Sequence, residues 1–189
     1  SSDFLLASPG LDKPSMNTDN VNLAIDFYSR KGEIHSNKDF TLVEFPENRY
    51  ISKLDFFTWD MVKKEIELGL SKRISSKINE DSLTGARYIS IHPEQDSLSF
   101  VSSKTVFDYR NILLNALDVP YIQVADARIF PNGKKLVVER NAKIRKLTKA
   151  KILANYINRY YTLYNSNANI TARMDYTASG DYDYIDENK

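Results

Sequence analysis

An alternation of apolar and polar residues with a period of two recurs along this chain and constrains its fold more than any other feature. In the clearest run, the apolar residues that we expect on the buried side are Val21, Leu23, Ile25 and Phe27. Successive side chains of a strand point to opposite faces, so this period is typical of a β-strand with one buried face. The 12 tyrosines and 9 phenylalanines also suit pleated, half-buried surfaces. The sequence therefore predicts a mainly β fold of stacked or sandwiched antiparallel strands, with at most one or two short helices.

Turn signals divide the alternating runs into candidate hairpins. Two short runs, 87–91 and 97–101, flank the turn-forming segment 92–96 and predict a hairpin. Further along, 120–130 is predicted as one long strand. An Asn132-Gly133 turn follows, and 136–140 is expected to return beside that strand.

Two segments satisfy helical and strand patterns alike. Segment 56–72 is dense in large apolar residues, although the alternation of Ile66, Leu68 and Leu70 with polar residues slightly favours a strand. Segment 149–164 places tyrosines at helical spacing, yet its β-type neighbours and tyrosine content favour a strand. Both alternatives stay open from the sequence.

A small motif of polar residue, alanine, polar residue and isoleucine occurs four times in the second half of the chain. In a strand, its alanine and isoleucine share one face, so stacked copies would fill a narrow interior. The irregular spacing matches no fixed-period solenoid, and ordinary alternation could also produce it. We interpret the motif as repeat-like, β-solenoid or jelly-roll character. The four pairs are Ala127 with Ile129, Ala142 with Ile144, Ala150 with Ile152, and Ala168 with Ile170.

These patterns divide the chain into an extended lead-in over 1–20, a β-rich half over 21–118 and a repeat-like β half over 119–189. The two halves are expected to be continuous as one domain, since a single β domain commonly reaches this length.

Composition excludes several functional classes. The net charge of +1, from 26 basic and 25 acidic residues, provides no overall field for a nucleic-acid partner, and none is expected. The chain has no cysteine, which rules out disulfides, thiolate zinc sites and cysteine nucleophiles. No segment reaches the roughly 20 apolar residues of a membrane-spanning helix, so the chain is not expected to span a membrane.

No catalytic, metal or cofactor site is predicted. The two histidines, His35 and His92, are far apart and lack metal-ligand spacing. Carboxylates on strands could form a hydrolytic pair, but nothing distinguishes any such pair from ordinary charged residues on the solvent-exposed face of a sheet. The acidic residues of 181–187 could bind calcium, although they lack EF-hand order. Phosphate-binding loops and dinucleotide fingerprints are absent.

A basic run in the second half is the strongest charge asymmetry of the chain. Interleaved with tyrosines, it could bind an acidic glycan or a phosphate backbone by charge and stacking. Alternating lysines are also typical of an exposed sheet face or a guarded edge. The candidate ligand face consists of Lys143, Arg145, Lys149, Lys151, Tyr156 and Tyr160.

Several short sequence motifs occur together in this chain. They are 12–15 with 30–32, 43–46 (Val-Glu-Phe-Pro), 92–100, 119–122 with 124–127, and 176–184. In these motifs the chain resembles a family of very large, uncharacterised proteins of Bacteroidetes, exported to the periplasm or outer membrane. The resemblance implies an internal piece of a longer envelope protein, which suits a start without methionine, and it implies no catalytic residue.

Three functional hypotheses follow from these observations. The first is a non-enzymatic structural or binding module of a larger cell-envelope protein, with other parts of that assembly as partners. The second is a structural subunit of a large assembly such as a phage particle. The third is a glycan-binding or glycan-active accessory β domain.

Overall fold

The computed structural model describes residues 2–71, 85–155 and 161–182. The chain forms seventeen strands there: β1 (Ser2–Leu6), β2 (Met16–Asp26), β3 (Lys31–Ser36), β4 (Thr41–Phe45), β5 (Tyr50–Leu54), β6 (Phe56–Asp60), β7 (Glu65–Gly69), β8 (Ala86–Ser90), β9 (Ser99–Ser102), β10 (Lys104–Asp108), β11 (Leu113–Leu117), β12 (Ile122–Val124), β13 (Ala127–Phe130), β14 (Leu136–Val138), β15 (Leu147–Ala154), β16 (Tyr161–Ala172) and β17 (Asp175–Tyr182).

Helical structure in the described ranges is confined to two 3-10 turns, Pro93–Gln95 and Asn132–Lys134. No helix there has the length and apolarity needed to cross a bilayer. The predicted mainly β, antiparallel fold is confirmed.

The strands form one open antiparallel sheet that branches at β2. The second half of β2 pairs with β3 and begins layer A, which continues in the order β3, β6, β7, β10, β11, β14. The first half of β2 lies between β1 and β4 and begins layer B. Layer B continues in the order β4, β5, β8, β9, β12, β13, β15, β16, β17.

The chain contributes hairpins alternately to the two layers. The hairpins β2–β3, β6–β7 and β10–β11 belong to layer A, whereas β4–β5, β8–β9 and β12–β13 belong to layer B. Single residues, Asp55 and Ser103, link the layers at two crossings. The Asp55 carboxylate accepts hydrogen bonds from the backbone N–H of Ser71, at 2.8 Å, and from its hydroxyl. These bonds hold the first of the two crossings.

The two layers pack face to face around one apolar core. Phe45 of layer B meets Phe107 of layer A edge to face, with ring centroids 5.1 Å apart. At the end of the β4–β5 hairpin, the side chain of Asn48 is fully buried. Its Nδ2 donates to the backbone carbonyls of Ile112 at 2.9 Å and of Val138 and Glu139 at 3.2 Å, joining layer B to layer A.

The three layer A hairpins end in the same kind of turn. The first strand of each hairpin ends at an aspartate: Asp26, Asp60 or Asp108. The Oδ1 atom of each aspartate accepts hydrogen bonds from the backbone N–H groups two and three residues later. The fourth residue after each aspartate has a left-handed backbone, with φ between 55° and 64°. Adjacent turns are linked because the N–H of Met61 donates to the Arg30 carbonyl and that of Tyr109 to the Lys64 carbonyl, both at 3.1 Å. We call these turns the aspartate turns.

The aspartate turns should make stability depend on acid pH. Hydrogen bonds from Ser29 and Tyr28 lower the pKa of Asp26 below 3.8, and backbone hydrogen bonds from Lys63 and Val62 lower that of Asp60. Such a group stabilises the fold above its unfolded pKa and loses that contribution as the pH falls through its folded pKa. Below about pH 4, the urea midpoint should therefore fall with pH.

Asn at position 60 keeps an oxygen that can accept both N–H bonds but does not titrate in this range. We therefore expect Asp60→Asn to reduce the acid dependence of the urea midpoint, with Asp12→Asn in the β1–β2 loop as the matched control. An acid dependence that Asp60→Asn leaves unchanged would contradict this role of the turns.

Several expectations about individual segments are corrected by the structure. Val21 is buried as expected and Ile25 is half-buried, but Leu23 and Phe27 are exposed, at 41% and 81%. Beyond Val21, β2 pairs only with β3 among the described strands, so this end of the hairpin lies at an edge of layer A. Segment 120–130 is two strands, not one, since the chain turns at Ala125, whose φ is 49°. The Asn132-Gly133 turn is present, but β14 pairs with β11 in layer A and not with the preceding strand.

Where the structure describes the ambiguous segments, they consist of strands joined by turns and contain no helix. Within 56–72, β6 and β7 pair as a hairpin, which confirms the preference for strands. Within 149–164, β15 and β16 are strands, and 156–160 lies outside the described residues. The lead-in 1–20 contributes β1 and the first part of β2 to layer B.

All four alanine–isoleucine pairs have both side chains buried, as the shared-face argument predicts. Ile129 lies directly opposite Ile152 on adjacent strands, but Ala150 faces Ser166 rather than Ala168. Ala142 and Ile144 lie outside the named strands. The pairs therefore form part of the core, and a repeated structural unit stays a prediction.

Candidate ligand face on layer B

The predicted basic face is divided in the structure. Lys143 and Arg145 follow β14, and both pair with Glu139, at 3.2 and 2.8 Å. Hydrogen bonds from Arg145 and then Lys143 lower the pKa of Glu139 below its ordinary value. Because one carboxylate offsets part of their charge, these two residues form a surface ion-pair cluster with reduced attraction for an anion.

Lys149 and Lys151 lie on β15. Lys149 has a φ of 55° and lies where the pairing of β15 with β16 shifts register. Lys151 lies over the ring of Tyr164, with Nζ 6.0 Å from the ring centroid. The predicted Tyr156 and Tyr160 lie outside the described residues. The structure therefore pairs a predicted lysine with Tyr164, a tyrosine that the candidate face did not include.

A shallow open depression of about 400 Å³ lies on the outer side of β16 and β17. Ser166, Ala168 and Ile170 of β16 are buried, so the residues between them point outward. Asn167 lies opposite Ser179, and Asn169 lies opposite Thr177. We call this depression the polar groove; its lining residues are Lys146, Asn167, Asn169, Thr177, Ala178 and Ser179.

A second depression, of about 370 Å³, adjoins the polar groove and shares Asn169 with it. Its lining includes His92, Asn141, Lys143 and Thr171. His92 accepts the backbone N–H of Glu94 through Nδ1, at 3.2 Å, and so caps a 3-10 turn. The two depressions give this end of layer B a continuous polar surface.

Chemically, the polar groove can hold a neutral or anionic polar molecule. Each amide side chain offers both donors and acceptors, the hydroxyls of Thr177 and Ser179 offer both, and Lys146 supplies a positive charge. Lys151 of β15 supplies a second charge, and Tyr164, further along β16, supplies an exposed ring.

Sequence reasoning missed the polar groove, although a signal was present. Asn165, Asn167 and Asn169 alternate with residues that the structure buries. Such a row of amides on one strand face could have been found from the period of two. Their pairing with Thr177 and Ser179 depends on the β16–β17 register, which passes through two irregularities.

Within the described ranges, the histidines and acidic residues considered from sequence form no common metal site. His35 is exposed, 3.8 Å from Glu33, and its ring packs against Phe56. In the part of the chain that the structure describes, no three potential metal ligands lie together. Of the acidic residues in 181–187, only Asp181 is described, and its carboxylate accepts a hydrogen bond from Asn165 at 3.0 Å.

Comparison with known proteins supplies no family to guide the assignment of this site. No family model, curated protein or solved structure matches the chain.

Proposed function

We propose that the chain is a non-enzymatic binding module of a larger cell-envelope protein and that the polar groove binds an acidic glycan. The observation that carries the proposal is the row of outward Asn167 and Asn169 opposite Ser179 and Thr177, beside Lys146. A sugar presents closely spaced hydroxyls, which amide and hydroxyl side chains can meet as both donors and acceptors.

The shape and charge of the surface favour an extended acidic chain over a small compact ligand. The groove is open and shallow, unlike the concave, mostly apolar pockets that enclose small molecules. Lys146 can pair with a carboxylate or sulfate of the glycan, and Lys151 with Tyr164 provides a second anchor by charge and ring contact. The periplasmic or outer-membrane location depends on the sequence resemblance alone.

Binding can be measured by isothermal titration calorimetry with oligosaccharides of polygalacturonate and hyaluronan, using dextran as the neutral comparison. We expect the acidic oligosaccharides to bind and Lys146→Ala to weaken binding about ten-fold, since a hydrogen bond to a charged group contributes about 1.5 kcal/mol or more. The double variant Asn167→Ala, Asn169→Ala should weaken the binding of acidic oligosaccharides and any binding of the neutral dextran.

The matched control is Lys38→Ala, in the loop between β3 and β4, which removes one exposed charge and should leave affinity unchanged. Failure of every acidic oligosaccharide to bind, or equal losses from Lys38→Ala and Lys146→Ala, would exclude the groove as the site. Release of reducing ends from these glycans, abolished by replacing one carboxylate, would overturn the non-enzymatic assignment.

A structural subunit of a large assembly, such as a phage particle, is the second candidate. It is favoured by the open outer edge of β17, which pairs only with β16 among the described strands. If the purified chain stays monomeric at all concentrations, this candidate loses its support.

A further inference from the structure

We infer that the open edge of β17 pairs with β17 of a second copy of this chain, antiparallel and centred on Ser179. This goes beyond glycan binding and depends on a different feature of the molecule, the unpaired backbone of the last described strand. β17 has eight residues and pairs with β16 along one edge. Along its other edge, no strand of the described chain pairs with it. A strand edge of this kind presents a row of backbone donors and acceptors that another strand can meet.

The sequence of β17 lacks several of the usual edge guards, and its charged residues are limited to Asp175 and Asp181. Natural edge strands are commonly guarded by lysine, by proline or by a bulge. β17 contains no Lys, Arg or Pro between Asp175 and Tyr182. Where its pairing with β16 shifts, the extra residues belong to β16, one of them Asn165 with a φ of 47°. β17 itself therefore keeps a regular alternation of side chains along its open edge.

The two faces of β17 are fixed by its partner strand. Thr177 and Ser179 line the polar groove on the outer face. Tyr176 and Ala178 lie opposite Ile170 and Ala168, whose side chains are buried on the inner face. A two-fold axis perpendicular to the sheet reverses the strand but keeps each face on its own side, so paired residues must belong to the same face.

The register centred on Ser179 satisfies this condition with compatible neighbours. It places Tyr176 opposite Tyr182, Thr177 opposite Asp181 and Ala178 opposite Gly180. Directly opposite aromatic residues attract, and a threonine hydroxyl can donate to a carboxylate. The Tyr182 ring already lies 5.8 Å from Tyr161 of its own copy, so the tyrosine pair would extend an existing aromatic contact.

The nearest alternative register is less favourable. Centring the pair on Ala178 would place Asp175 opposite Asp181 twice, once on each side of the axis. Like charges directly opposite one another destabilise a strand pair. The register centred on Ser179 forms no like-charge pair within Asp175–Tyr182; its nearest such pair, Asp175 with Asp183, would fall beyond the end of β17.

Sedimentation equilibrium of the chain between about 1 and about 500 µM, without glycan, tests the inference. We expect a concentration-dependent dimer in the wild-type protein. Ser179→Lys and Ser179→Asp should each weaken the dimer about ten-fold or more, because two like charges then meet at the axis. An equimolar mixture of the two variants should recover association, since opposite charges then face each other.

The matched control is Asn169→Lys, which adds the same charge to the same face one strand further in and should leave the dimer unchanged. Recovery in the mixture also shows that both variants are folded. Any of three results would overturn the inference. The wild-type protein could be monomeric throughout, Ser179→Lys could dimerise like the wild type, or the mixture could associate no better than either variant alone.

Discussion

Replacing Phe107 with alanine is expected to lower the free energy of unfolding by about 4 kcal/mol, as large-to-small substitutions of buried aromatic residues do. Phe107 of layer A is fully buried, and its ring meets Phe45 of layer B at an interplanar angle of 66°. Truncation removes apolar burial and leaves a cavity between the two layers. Because both layers are held by their own strand hydrogen bonds, they cannot close that cavity fully.

Urea denaturation followed by tryptophan fluorescence measures this effect, since Trp59 lies in layer A. The control is Phe27→Ala at the tip of the β2–β3 hairpin, where the ring is 81% exposed. We expect that substitution to change stability by less than about 0.5 kcal/mol. Similar losses from the two substitutions would show that the layers do not pack through Phe45 and Phe107.

Asn48→Asp is expected to cost about 3 kcal/mol or more at neutral pH. The substitution removes the Nδ2 donor from three backbone carbonyls and places a buried carboxylate opposite their oxygens. Protonation would relieve the charge, so the cost should shrink as the solution is acidified. This dependence is opposite to that of the aspartate turns, which lose stability in acid.

Thermal unfolding at pH 7 and pH 4 separates the two effects. Asn22→Asp, on an exposed position of β2 opposite His35, makes the same chemical change at the surface. It should alter stability by no more than about 0.5 kcal/mol. A mild effect of Asn48→Asp at both pH values would mean that the buried amide does not join the two layers.

The open edge of β17 and the polar groove share one strand. Thr177 and Ser179 line the groove, and Ser179 also lies at the proposed two-fold axis. Pairing through that axis would place the grooves of two copies side by side on one continuous sheet. A glycan long enough to reach both grooves would then bind more tightly than a short one, because its second contact becomes intramolecular.

Local features were predictable because they depend on residues that are close together in the sequence. The period of two slightly favoured a strand within 56–72, which the structure confirms, and the burial of Ala150 and Ile152 followed from their spacing. The hairpin through His92 and the turn at Asn132-Gly133 followed from local turn chemistry. The aspartate turns had a local signal too, an aspartate at the end of each first strand, but a single residue type is too common to select these turns from the sequence.

Partners of strands were not predictable in the same way. After the Asn132-Gly133 turn, β14 joins β11 of layer A, because pairing is decided by which sheet edge is open and not by the turn alone. Leu23 and Phe27 have the pattern of core residues but are exposed at the end of the β2–β3 hairpin, where β2 pairs only with β3 among the described strands. The candidate ligand face shows the same limit, since Glu139 partly neutralises Lys143 and Arg145, while Lys151 meets Tyr164 of the next strand.

The sequence by itself determined that this chain is mainly β, where several of its strands and turns lie, and which side chains of the four alanine–isoleucine pairs share a face. Only the tertiary structure decided that hairpins alternate between two layers, that Asn167 and Asn169 meet Ser179 and Thr177, and that β17 pairs with β16 alone among the described strands. The physical reason is that alternation and turn geometry act within a few residues, whereas register and layer assignment depend on contacts between segments far apart in the chain.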